Sequence, residues 1–428
     1  MIYTRKILSL ALPSMVENVL QMLMGMVDNY LVAQIGLVAV SGVSIANNII
    51  TIYQAFYIAL GTAVSSLIAR SIGKNDRVKQ LKYMADALLI TLVLSIFLGL
   101  ISLMGRNGIL ALLGADVRVA LIGGQYLAIV GSMIVSLGFL TSLGAIVRAQ
   151  GQARIPMQVS LLTNVLNALF SALSIYVWHF GLAGVAWATV LSRLIGILIL
   201  CHYIPVKGIL KMIGTPLDKA VFKLSLPAMG ERLMMRVGDV FMIAIIAHFG
   251  TAVLAGNAIG ETLTQFNYMP GMAMSTATII LVADQLGREK VAEIKVIAKE
   301  SLTLGTLTMV ALGVITYLVG PILLPLFARD VSAQSSGMIV LLFSLLGAPA
   351  TAGTLVYTAA WQGIGKAKFP FYATTIGMWL IRVVFSYIIG VVWEYGLVGV
   401  WIATVLDNAM RWLILSTQFK KYLRITWQ

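Results

Sequence analysis

Twelve stretches of this chain are apolar for about 20 residues or more: near 7–35, 38–69, 84–104, 121–145, 155–177, 181–203, 221–248, 252–283, 300–327, 336–361, 369–393 and 396–418. Runs of that length cross a bilayer, where no water is present to satisfy backbone amides and carbonyls. The chain must therefore satisfy them within itself, as helices do. The composition agrees, at 60% hydrophobic and 11% charged residues, against roughly 25% charged for soluble chains. The expected fold is an all-α polytopic membrane protein with twelve transmembrane helices. The first run is long and lacks a cleavage site after a short apolar core, so it reads as a permanent span.

The net charge of +14 would suit a nucleic-acid partner if the basic residues gathered on one soluble face. They alternate along the loops instead. Arg5 and Lys6, then Arg70 to Lys82, Arg148 and Arg154, Lys207 to Lys223, Arg288 to Lys299, Lys366 and Lys368, and Lys420 to Arg424 hold most of them. The intervening connections hold Arg106, Arg118 and Arg329. Positive charge is retained on the cytoplasmic side, so both termini are expected there, in the inner (plasma) membrane. Membrane lipids are expected neighbours and nucleic acid is not. The lone Cys201 and the scattered His179, His202 and His248 leave no metal cluster.

The chain is also duplicated. Sliding it by 214 residues superposes Leu12, Pro13, Glu17, Gly36, Gly42, Ala63 and Gly73 on Leu226, Pro227, Glu231, Gly250, Gly256, Ala277 and Gly287 without a gap. Gly151 to Pro156 answers Gly365 to Pro370, and with one residue inserted Gly181 to Val185 answers Gly396 to Val400. Each unit has six spans, so two equally oriented repeats related by a pseudo-twofold axis along the membrane normal are expected. The predicted lobes are 1–203 and 221–428, joined by a cytoplasmic linker at 204–220.

An acid inside a span costs at least ~2.5–3.5 kcal/mol and is a functional candidate by default. Asp28 and Glu17 share one face of the first helix, since eleven residues bring a helix back to within roughly 20°. Asp28 could exchange a proton, or hold Na+ if oxygens complete its shell; Glu17 could pair with a lysine or arginine near the interface. On the fifth span Asn164, Asn167, Ser171 and Ser174 form a polar stripe, either interhelical glue or the lining of a wet cavity. Asp28 has Met242 as its repeat partner, and Asn164 meets Met378 or Trp379, so this cluster belongs to one lobe. The other lobe holds Glu231, Arg232, Arg236, Asp239, Glu261, Arg382, Asp407 and Arg411. Arg236 should neutralise Asp239 within its helix; Glu17, Glu231, Glu261, Arg382 and Asp407 are secondary or gating candidates. No enzyme motif is complete: Gly363 to Lys366 lacks the spacing of a phosphate loop, and Arg236 stands where an intramembrane aspartyl protease needs glycine.

These residues together resemble the bacterial branch of the multidrug and toxic compound extrusion (MATE) transporters: Leu12-Pro13 with Glu17, Val27-Asp28 before Gly36, Gly42 and Ile45, and Gly151 to Pro156 leading to Asn164 and Asn167, with the plan repeated from Leu226. The resemblance implies a monomeric antiporter that exports amphipathic, often cationic compounds against Na+ or H+. It places the coupling cation at Asp28 with Asn164, Asn167 and Ser171. No other cofactor is expected. Several relatives have aspartate at the position of Ser171, and others use acids on the tenth span, which has none here at 336–361. The coupling ion is therefore open at this stage. A lipid-linked oligosaccharide flippase of the same superfamily is the alternative, favoured by Arg193, Arg232, Arg236, Arg382 and Arg411; a non-transporting membrane protein is the other.

Overall fold

The computed structural model describes residues 2–114 and 116–426, and every regular element among them is helical. The spans are α1 Thr4–Ala33, α2 Leu37–Gly73, α3 Arg77–Leu112, α4 Val117–Gly131 with Val135–Ala149, α5 Arg154–Tyr176, α6 Gly181–His202, α7 Lys219–Ala247, α8 Thr251–Gly287, α9 Val291–Phe327, α10 Val331–Gly363, α11 Lys368–Val392 and α12 Gly396–Thr426. Ten of the described helices are long and apolar enough to cross a membrane, and α4, bent by 46°, makes eleven. The twelfth is α7, 29 residues long; Glu231, Arg232, Arg236 and Asp239 interrupt its apolar run.

Side-chain caps set several helix starts. Asp76, Asp116 and Asp330 precede α3, α4 and α10, and their carboxylates accept from the amides of Lys79 (3.0 Å), Val119 (2.9 Å) and Ser332 (2.8 Å). Each bond satisfies a donor that the first turn would otherwise leave unpaired.

The duplication is also written in the backbone. Left-handed φ values occur at Gly36, Asn75, Gly151, His179 and Gly181, and again at Gly250, Glu289, Gly365, Glu394 and Gly396. The first three pairs are offset by the 214 residues of the repeat and the last two by one more. The extra residue falls in α11, whose turns widen to π-helix at Gly377–Val383 and Ser386–Val392, whereas its counterpart α5 is α-helical throughout. A π turn closes its hydrogen bond one residue later than an α turn, so it absorbs an inserted residue without breaking the helix.

The chain forms two compact units, Val16–Ser225 and Met1–Met15 with Leu226–Gln428. In the first, α2 and α4 cross so closely at Gly42 and Gly123 that a Cβ on Gly42 would sit 2.7 Å from the Gly123 nitrogen. The connector after α6 is tied to α3: Asp86, fully buried, accepts from Lys82 Nζ (2.6 Å) and the Asp218 amide (3.0 Å). The whole of the expected 204–220 linker falls within the unit Val16–Ser225. In the second unit the start of α1 is fixed on α9, where Glu300 accepts from the amides of Ile2 (2.7 Å) and Tyr3 (3.0 Å) and from Thr4 Oγ1 (3.1 Å).

Candidate functional site

The N-terminal unit gathers its polar side chains around Asn167. Its Nδ2 donates to both carboxylate oxygens of Asp28, at 3.3 and 3.4 Å. Its Oδ1 accepts from Ser171 Oγ and Thr189 Oγ1, both at 3.3 Å. The acceptor side of Asn167 is thus engaged by two hydroxyls, and this fixes its amide with the donors toward Asp28. Asn167 and Ser171 are buried, Asp28 half-buried. Arg193 on α6 reaches the acid by charge, and the buried phenol of Tyr126 on α4 lies near both. Asn164 lies one turn from Asn167, and its Nδ2 is buried with no acceptor, as is Nη1 of Arg193.

Glu17 is apart from this cluster. It accepts from Arg148 Nη1 at 2.7 Å, with both side chains about one-sixth exposed. That is the interfacial pairing the sequence allowed.

In the C-terminal unit two buried acids already have close partners. Glu231, buried, accepts from Thr374 Oγ1 (3.0 Å) and Gln362 Nε2 (3.3 Å). Asp407, fully buried, holds Arg411 Nη2 at 2.8 Å and Arg382 Nε at 2.9 Å on one oxygen. Arg382 is not aimed along a hydrogen bond, so its contact is an ion pair. Arg236 and Asp239 lie 3.8 Å apart on α7, the pairing expected from their spacing. Of the two acids offered to Arg382, Asp407 takes it; Glu261 is exposed on α8 beside Asn257.

Asp28, Asn167 and Ser171 thus come together, with Asn164 one turn away, and Glu17, Glu231, Glu261, Arg382 and Asp407 fall elsewhere. The sequence alone does not mark Tyr126 or Thr189 as neighbours of this cluster, and it offers Arg193 only as a cavity cation. The available signals were an arginine within the apolar sixth span and the Ala188-Thr189 step repeated at Ala403-Thr404.

The MatE family model matches residues 13–173 and again 227–388. The chain belongs to the MatE family. Each match covers most of one six-helix repeat, as the duplication requires. A probable multidrug resistance protein, NorM, of Thermotoga maritima is 26% identical, with 95% of this chain and 90% of that protein aligned. An uncharacterized transporter, YisQ, of Bacillus subtilis is 22% identical over 99% of this chain and 95% of its own length. A crystal structure of MATE in complex with MaD3S shares the fold at TM-score 0.91 and 22% identity, over 99% of this chain and 96% of that one. This MatE chain is therefore a multi-pass membrane transporter for small molecules, and not an enzyme.

Proposed function

We propose that this MatE transporter exports amphipathic, often cationic compounds by alternating access, in exchange for a cation bound at Asp28 with Asn164, Asn167 and Ser171 around it. One observation carries the reading. Asp28 is held by a single amide at long range, while Glu231 accepts from two donors and Asp407 is neutralised by two guanidinium groups. A carboxylate with no cation in contact and one weakly held amide can take up and release a cation, whereas one already neutralised by guanidinium groups or held by two separate donors is structural. The repeat supports the same assignment, because Met242 stands at the position of Asp28. Coupling requires that cation and substrate favour opposite states, since a ligand shifts an equilibrium only by its differential affinity. The loop charges support cytoplasmic termini in the plasma membrane, and the chain is taken to act as a monomer.

The test places the purified protein in liposomes and follows ethidium while sodium and pH gradients are imposed separately. One gradient should drive it, and Asp28→Asn should abolish that response with an unchanged elution profile. Full activity in Asp28→Asn removes Asp28 from the mechanism.

A further inference from the structure

The polar cluster of the N-terminal unit contains a cation of its own. We propose that Arg193 sets the ion preference of the Asp28 site, making it a site for a proton and closing it to sodium. The inference rests on the reading of Asp28 as the coupling acid.

Geometry places Arg193 there. α5 and α6 run antiparallel: the Ser174 side chain sits where a Cβ on Gly184 would go, Asn167 bonds Thr189, and the Thr163 side chain sits where a Cβ on Gly196 would go. Along this seam Asn164 and Arg193 stand at one height, a turn from the Asn167–Thr189 contact. Both carry a buried nitrogen that lacks an acceptor. Arg193 is the charged group that acts on Asp28 among the described residues.

The described groups that act on the acid are therefore a donor and a cation: Asn167 Nδ2 in contact and the Arg193 guanidinium by its charge. A sodium ion, a hard cation, needs several oxygen lone pairs around it. Oδ1 of Asn167, on the amide that bonds Asp28, already accepts from Ser171 Oγ, with Thr189 Oγ1 sharing its one proton between this oxygen and the Val185 carbonyl. A proton needs no shell. It takes one lone pair of one carboxylate oxygen and leaves the other oxygen to accept from Asn167. Repulsion from Arg193 weakens either ion by a comparable factor and cannot choose between them by itself. The choice lies in the ligand shell: a proton bonds covalently to one carboxylate oxygen and cancels its charge without further ligands, whereas sodium needs oxygens that the described groups around Asp28 do not supply. Removing the guanidinium lifts the repulsion and lets Asn164 and water complete a shell.

The experiment measures saturable binding of radioactive sodium to the purified full-length protein, alongside ethidium transport in liposomes. The native chain should bind no sodium saturably and should move ethidium with a pH gradient alone. Arg193→Met should gain saturable sodium binding, at least tenfold above the native level, and lose it again when Asp28→Asn is added. Arg193→Lys, which keeps the charge, should behave as the native chain, and Arg193→Gln repeats the Met test if that variant does not elute as a single species. Asp28-dependent sodium binding by the native chain overturns the proposal, as does a folded Arg193→Met or Arg193→Gln protein that gains none. If no gradient moves ethidium through the native protein, the antiporter reading fails, while the binding comparison still judges Arg193.

Discussion

Asp407 faces two guanidinium groups with one oxygen, and its other oxygen rests against Gly377, where a Cβ would collide with it. Asp407→Asn leaves Arg382 and Arg411 without their shared counter-charge, at a cost of about 3–5 kcal/mol for a broken buried pair. The expected outcome is a lower melting temperature in detergent. Adding Arg411→Met should recover part of the loss, and a double-mutant cycle measures the coupling. The Glu17–Arg148 pair is less deeply buried, so Arg148→Met should cost about 1–3 kcal/mol, the usual penalty for a charged group losing its hydrogen-bond partner. At this scale the sequence exposed one side of each contact. Asp28, Glu17 and Asn167 stand out because polar groups in apolar spans are costly. Arg193, Tyr126 and Thr189 gain meaning only when α4 and α6 bring them to α5, and no spacing within one helix encodes that approach.

The elements show the same division. Twelve spans follow from apolar run length, and the repeat follows from matching glycines and prolines. The π-helical turns of α11 were visible only as a one-residue offset between the halves, without a position, because an insertion leaves hydropathy unchanged. The attachment of α1 was not visible, since it depends on Glu300 meeting the backbone of residues 2–4 from nearly three hundred positions away. That carboxylate caps a helix start to which α1 contributes no acid of its own. Loss of a cap costs about 0.5–2 kcal/mol. Glu300→Ala should therefore speed hydrogen exchange in the first turn of α1 by roughly fivefold or more, read by mass spectrometry, while α9 keeps its protection. The α2–α4 crossing makes an independent prediction. At Gly42 an added methyl group meets backbone, which cannot rotate away as a side chain can. Gly42→Ala should destabilise by about 1–3 kcal/mol, the cost of overpacking, and Gly42→Val by more.

For the whole molecule, the +14 charge becomes an argument about topology once its distribution is considered. Lys and Arg on short loops act during insertion by resisting transfer across the membrane. Each loop is counted separately, so a single misplaced loop would betray an error. Lys74 and Lys290 lie on exposed turns at the basic ends of α2 and α8, and Arg118 and Arg329 are exposed at the opposite ends of spans. Single cysteines at these four positions, in a Cys201→Ala background that removes the one native thiol, can be treated in intact cells with a membrane-impermeant maleimide. Arg118→Cys and Arg329→Cys should label at once. Lys74→Cys and Lys290→Cys should label only after permeabilisation. The reverse pattern would place the basic loops outside, and a mixed one would break the six-span count of one repeat. Because Lys74 and Lys290 fall at near-equivalent points of the two halves, their agreement tests the duplication as well as the orientation.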